Sequence, residues 1–183
     1  ANLAKSDSTT TKSAIPETFS SCKEEIGYSI MEIANEIKTE KQISDNDVKQ
    51  DTGAESFECL ILQMAMQESG IRHCKETQDN ACSYCENQGL DSLLKGSGSD
   101  YGVMQINTDV HEGIVDSVDN LEAHVRYAVE DVLVKGYSDE SKEYTCADTS
   151  YSGWERALRS YNGWNVDCTK GDVEYVENVE TKK

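Results

Sequence analysis

Ile26, Ile30, Ile33 and Ile37 recur at spacings of four, three and four residues, the period of one face of an α-helix. This stripe predicts a helix from about Ser21 to Lys41. The next stretch, Ile43 to Gly53, is polar and reads as a loop. Phe57, Leu60, Ile61, Met64 and Ala65 then form a second stripe, predicting a helix over Ala54 to Ser69 that stops at Gly70. Residues 71–100 read as a long irregular excursion with a short helix around Leu90 to Leu94. Tyr101 to Asn107 is short, apolar and contains a glycine, and fits either a strand or a tight turn entering a helix. Asp119 reads as the N-cap of a helix carrying Leu121, Val125, Ala128, Val129 and Val132, ended by Gly136. Shorter helical patterns lie near Ser152 to Tyr161 and Gly171 to Val179. The fold class expected is mainly α, or α+β with a very small β element.

Glu68 falls on the centre line of the second stripe, at i+11 from Phe57. A carboxyl there faces the interior at the C-terminal end of its helix. Burial and the negative end of the helix dipole both disfavour its charged form, so both raise its pKa. A carboxyl still protonated near neutral pH is what a general acid requires. The competing reading is a helix-end glutamate turned out to water.

Composition narrows the classes. The chain has 183 residues, 35 of them acidic and 17 basic, for a net charge of −18. Such a surface repels nucleic acid and anionic lipid, and neither is expected as a partner. It otherwise reads as a solubilising surface suited to saline surroundings. No run approaches the ~18 consecutive apolar residues of a membrane span. Seven cysteines (Cys22, Cys59, Cys74, Cys82, Cys85, Cys146 and Cys168) point to disulfides in an oxidising compartment, secreted or cell-envelope, with an odd thiol left over. Pairing cannot be read from the sequence. Residues 1–18 read as a disordered N-terminal tail and 19–183 as one domain.

Three segments, in this order, carry a family resemblance. They are Met64-Ala65-Met66-Gln67-Glu68-Ser69-Gly70, then Gly102-Val103-Met104-Gln105-Ile106-Asn107, then Ser160-Tyr161-Asn162-Gly163 preceded by Ala157-Leu158. In them the chain resembles the soluble lytic transglycosylase family, which shares its fold with goose-type lysozymes. Asn120 to Tyr127 reads like that family's intervening helix and Val173 to Val179 like its closing helix, so the resemblance covers roughly residues 54–180. The third segment departs from the family pattern: Ser160 replaces the usual alanine, Gly163 takes the variable position, and Trp164 stands where glycine is usual. The insertion with Cys74, Cys82 and Cys85 is longer than the common linker.

The resemblance implies a lysozyme-like fold and cleavage of the β-1,4 bond between N-acetylmuramic acid and N-acetylglucosamine. It makes Glu68 the catalytic acid and base, with Ser69 orienting it or the substrate. Met104 and Gln105 would line the glycan groove, with Tyr161 and Asn162 opposite. The implied partner is the peptidoglycan glycan strand, taken by a monomer without metal or other cofactor. Family members close an anhydro-muramyl ring without net hydrolysis, whereas goose-type lysozymes deliver water with acids upstream of the Gly-x-Met-Gln segment. Asp100 lies in that region and keeps hydrolysis open; otherwise it is a solvated loop aspartate. For Met104 the alternative is ordinary core packing.

Two readings compete from other classes. Cys82-Ser83-Tyr84-Cys85, with His73 and Cys74 upstream, has one C-x-x-C spacing but no second pair, so it fits a disulfide better than zinc. His111 and His124 show no pairing on a helix face and read as surface or core residues. The other reading is a non-catalytic module that keeps the fold and grips glycan, against which the intact Glu68 argues.

Overall fold

The structure, a computed structural model, describes residues 21–75, 88–138, 144–146, 149–163 and 168–182. The expected N-terminal tail, Cys82, Cys85 and Trp164 lie outside them. The isoleucine stripe forms α1, Cys22–Lys41, with Ile26, Ile30, Ile33 and Ile37 all buried. Ser21 caps it by accepting the Glu24 amide at 3.2 Å. The polar stretch expected as a loop is instead a helix, α2, Asp45–Thr52. Its Ser44 hydroxyl accepts the Asp47 amide and its Val48 and Thr52 are buried. A good cap and two anchoring side chains were enough, because packing rather than a long apolar stripe stabilises a short helix.

α3, Phe57–Ser69, begins later than expected because Ser56 is its cap, accepting the Cys59 amide at 3.3 Å. It ends at Gly70, which takes the left-handed conformation while the Gly70 and Ile71 amides close back onto Met66 and Ala65. Beyond it come a 3₁₀ turn at Leu90–Ser92 and a hairpin of β1, Asp100–Tyr101, and β2, Ile106–Asn107, paired Asp100 to Asn107 and Tyr101 to Ile106. The Tyr101 to Asn107 segment is thus a tight turn between two short strands.

α4, Leu121–Arg126, runs on through a π-helical segment, Tyr127–Val134, into α5, Lys135–Ser138. Its cap is Asn120, not Asp119: the Asn120 side chain accepts the Ala123 amide, while Asp119 accepts the distant Gly89 amide at 2.6 Å. Nor does Gly136 end the helix. A β-carbon there would lie 3.1 Å from that of Ser160, so the glycine serves a close approach between helices. A hairpin not expected from the sequence, β3 (Tyr144–Cys146) with β4 (Thr149–Tyr151), precedes α6, Gly153–Tyr161, and α7, Tyr175–Glu180. The described residues are mainly helical.

α3 is the central element, in contact with α1, α2 and α7, and its Phe57, Leu60, Ile61, Met64 and Ala65 are inaccessible to solvent. At its start Phe57 meets Trp154 of α6, which also stacks on Tyr137 with ring centroids 4.2 Å apart. α6 has no cap from its own Ser152; Asp51 of α2 supplies one by accepting the Trp154 amide at 2.9 Å. On the outside, Arg126 joins α1 to α4 by pairing with Glu36, Glu40, Glu122 and Glu130. Among the described residues no helix is long and apolar enough to cross a membrane. Among the cysteines whose side chains are described, Cys59 is a free thiol; Cys22, Cys74 and Cys168 are not.

Because Asp51 caps α6 from another helix, Asp51→Ala should cost about 1–2 kcal/mol, near the upper end for a lost N-cap. Asp51→Asn should recover most of it. Urea unfolding of the two variants measures the difference.

Candidate active site

The last turn of α3 brings the Glu68 carboxyl to the edge of a cleft of about 780 Å³. The register expected from the stripe is the one observed, and it carries the carboxyl from the core to the cleft wall, where it is half-buried. Its pKa is pushed up to about 7, first by burial and then by the negative charge of Asp100. A hydrogen bond from the Tyr175 hydroxyl to Oε1 pulls the other way. That bond occupies Oε1 as an acceptor and leaves Oε2 to carry the proton.

Asp100, Gln105, Tyr161 and Asn162 line the same cleft. Asp100 stands at the start of β1, where Ser97 Oγ donates to its Oδ2 at 3.0 Å and Asn107 Nδ2 to its Oδ1 at 2.8 Å. Gln105 sits in the left-handed region at φ 49°, an uncommon conformation for a residue with a side chain, and its Nε2 donates to the Gly102 carbonyl at 2.7 Å. Tyr161, the last residue of α6, donates its hydroxyl to the Met104 carbonyl at 2.6 Å and so ties that helix to the turn. Burial and the charges of Glu68 and Asp100 raise its pKa well above the usual tyrosine value, so the hydroxyl remains a donor. Asn162 uses its amide oxygen to accept the Asp172 amide.

Two expected site residues stand elsewhere. Met104 is fully buried and packs in the core, so it offers the site a carbonyl rather than a thioether. Ser69 is also buried; its hydroxyl donates to the Ala65 carbonyl and accepts the Arg72 amide, both bonds that finish α3. Neither side chain lines the cleft.

Other residues stand at the site without having been expected there. Tyr175 lies in the segment compared with the closing helix, and its place beside Val176 and Val179 on the buried face of α7 was the available signal. His111 lines the cleft, hydrogen-bonded to the Tyr127 hydroxyl at 3.1 Å, and Val132 reaches it from the π segment. No local pattern marked either. Among the described residues no three His, Cys, Asp or Glu side chains converge as metal ligands. His73, considered beside Cys74 as a ligand, has both ring nitrogens engaged with backbone groups.

No family model, curated protein or solved structure matches the chain. The chemistry therefore rests on the geometry: a desolvated carboxyl, a second acidic side chain and several polar side chains around one cleft.

The raised pKa has a consequence for stability. Unfolded Glu68 ionises from its ordinary value of 4.5, while the folded carboxyl holds its proton to about 7. Stability present below pH 4.5 is therefore lost as pH rises to about 7, by roughly 3 kcal/mol at 1.36 kcal/mol per unit. Glu68→Gln should leave the melting temperature nearly unchanged at pH 4 and raise it at pH 8. Carboxyl NMR should give Glu68 a midpoint near 7, moved up by Tyr175→Phe and down by Asp100→Asn.

Proposed function

We propose that the protein cleaves peptidoglycan glycan strands, at the β-1,4 bond between N-acetylmuramic acid and N-acetylglucosamine, by lytic transglycosylation on a lysozyme-like fold. The observation that carries this reading is the position of the Glu68 carboxyl on the cleft wall, where burial pushes its pKa up to about 7. Support also comes from the three ordered segments of the resemblance, two of which supply Gln105, Tyr161 and Asn162 to that cleft.

In this reading Glu68 Oε2 protonates the leaving glycosidic oxygen as the bond breaks. The substrate's own acetamido oxygen compensates the positive charge at the anomeric carbon. The carboxylate, left charged in a poorly solvated place, then takes a proton from the muramyl hydroxymethyl group as that oxygen closes the anhydro ring. Atoms balance without water, and Glu68 ends protonated. The Tyr175 hydroxyl steadies the charged intermediate form through Oε1. Gln105 and Asn162 offer amides suited to sugar hydroxyls or the acetamido group.

Asp100 favours a second reading. It lines the cleft with both oxygens held by side-chain donors, a fixed acceptor able to orient an attacking water. That arrangement would give hydrolysis of the same bond, as in goose-type lysozymes. Secretion or a cell-envelope location is proposed with either reading, on the strength of the cysteine content. So is action as a monomer.

Glu68→Gln should lower turnover of purified peptidoglycan by about 10²–10⁴, the usual contribution of a general acid. Unchanged clearance would leave only a binding module. Mass analysis of the products separates the two reactions: anhydro-muramyl ends support transglycosylation, reducing ends hydrolysis. Asp100→Asn should abolish the second reaction, whereas the first should persist with its pH optimum moved down.

A further inference from the structure

The turn from Gly102 to Gln105 lies on two imidazoles. The Val103 amide donates to His73 Nδ1 at 3.3 Å, and the Met104 amide donates to His124 Nε2 at 3.1 Å. A ring nitrogen that accepts carries no proton, so each imidazole is neutral and holds its one proton on the other nitrogen. In both rings that other nitrogen meets a carbonyl. His73 Nε2 lies 3.2 Å from the Asp119 oxygen and His124 Nδ1 lies 3.0 Å from that of Val118. The tautomers are thus opposite and fixed. Both residues are buried, their rings edge to face with centroids 4.9 Å apart.

Only glycine permits this approach. Gly102 has φ 72°, and a β-carbon on it would lie 2.6 Å from His124 Cε1 and 3.0 Å from His73 Nδ1. The Gly-x-Met-Gln segment is therefore shaped to the two rings as much as to the cleft.

We infer that His73 and His124 are positioning residues: as a neutral pair they bridge the turn to Val118 and Asp119, and thereby set where Gln105 and the Met104 carbonyl stand relative to Glu68. The path to the cleft is short. His124 holds the Met104 amide, the Met104 carbonyl holds the Tyr161 hydroxyl, and Tyr161 and Gln105 line the cleft with Glu68. The inference depends on the glycan-cleavage reading only for its effect on turnover; the placement of the turn is independent of it.

The bridge is conditional on protonation. A proton on His73 Nδ1 or His124 Nε2 would set a donor against the backbone N–H it now accepts. Two charged rings at this separation would also repel each other. The turn contributes no titratable group, and the carboxylate facing the pair is Asp119, which opposes the shift of His73. Burial nonetheless pushes both rings below the ordinary value of 6.5, His124 further because His73 adds to the effect. Unfolded rings take up protons from pH 6.5 downward while the folded pair resists, so acid favours unfolding, by up to tenfold per pH unit for each ring.

The test pairs apolar with amide replacements in the full chain: His73→Leu and His124→Leu against His73→Asn and His124→Gln. The amide oxygens can accept the Val103 and Met104 N–H groups in place of the ring nitrogens. At pH 7.5 the leucine variants should lose hydrogen-exchange protection at Val103 and Met104. On soluble glycan strands their kcat should fall at least tenfold with KM within about twofold, and the amide variants should recover both. In the wild type, protection at the two amides should fall as pH drops through the titration of the rings. In the His73→Asn/His124→Gln double variant it should stay level over the same range. Leucine variants that keep wild-type protection or wild-type kcat overturn the inference, as does a double variant with the wild-type pH dependence. A wild-type protein that cleaves no glycan, yet whose protection follows the rings, overturns the glycan reading and leaves the placement of the turn standing.

Discussion

A carboxyl taken out of water at the end of a buried helix is the constraint on which the rest of the site depends. α3 is enclosed by α1, α2 and α7, and its apolar stripe has nowhere else to go. Glu68 continues that stripe, so the packing that folds the protein also desolvates the carboxyl. The neighbours share the consequence. Tyr175 approaches from α7 with a hydroxyl that donates to Oε1, and Asp100, on the same cleft, sets a negative charge against ionisation of Glu68. Keeping that proton gives up stability above the ordinary carboxyl range, because the desolvated carboxyl resists ionising.

How much of this was legible depends on whether the responsible interaction was local. The helices α1 and α3 were, because four isoleucines and five α3 residues repeat at helical spacing, and so was the inward register of Glu68. α2 was not, since its stability comes from the Ser44 cap and from Val48 reaching the core rather than from a stripe. Asp119 and Gly136 have the residue types of a cap and a stop, but distant partners recruited both: Gly89 for the first, Ser160 and Ala157 for the second.

The site shows the same division. The resemblance marked Gln105, Tyr161, Asn162 and Asp100 as site residues, and the fold brings all four to one cleft. Type alone could not give direction for Met104 and Ser69, whose side chains turn to the core and to the helix end. Tyr175 and the histidine pair are separated from their partners by long stretches of chain, His73 from Val103 by 30 residues and Tyr175 from Glu68 by 107. Only the tertiary fold makes such pairs neighbours.

The bond from the Tyr161 hydroxyl to the Met104 carbonyl has a mechanical meaning. The turn is fastened on one side to α6 and on the other to His73 and His124, so its position is tied to both. Any ligand entering the cleft meets a turn already fastened on both sides rather than jaws that shut around it. The ordering entropy of that turn was spent when the chain folded, and selection falls to the contour of the ligand instead of to a closing step.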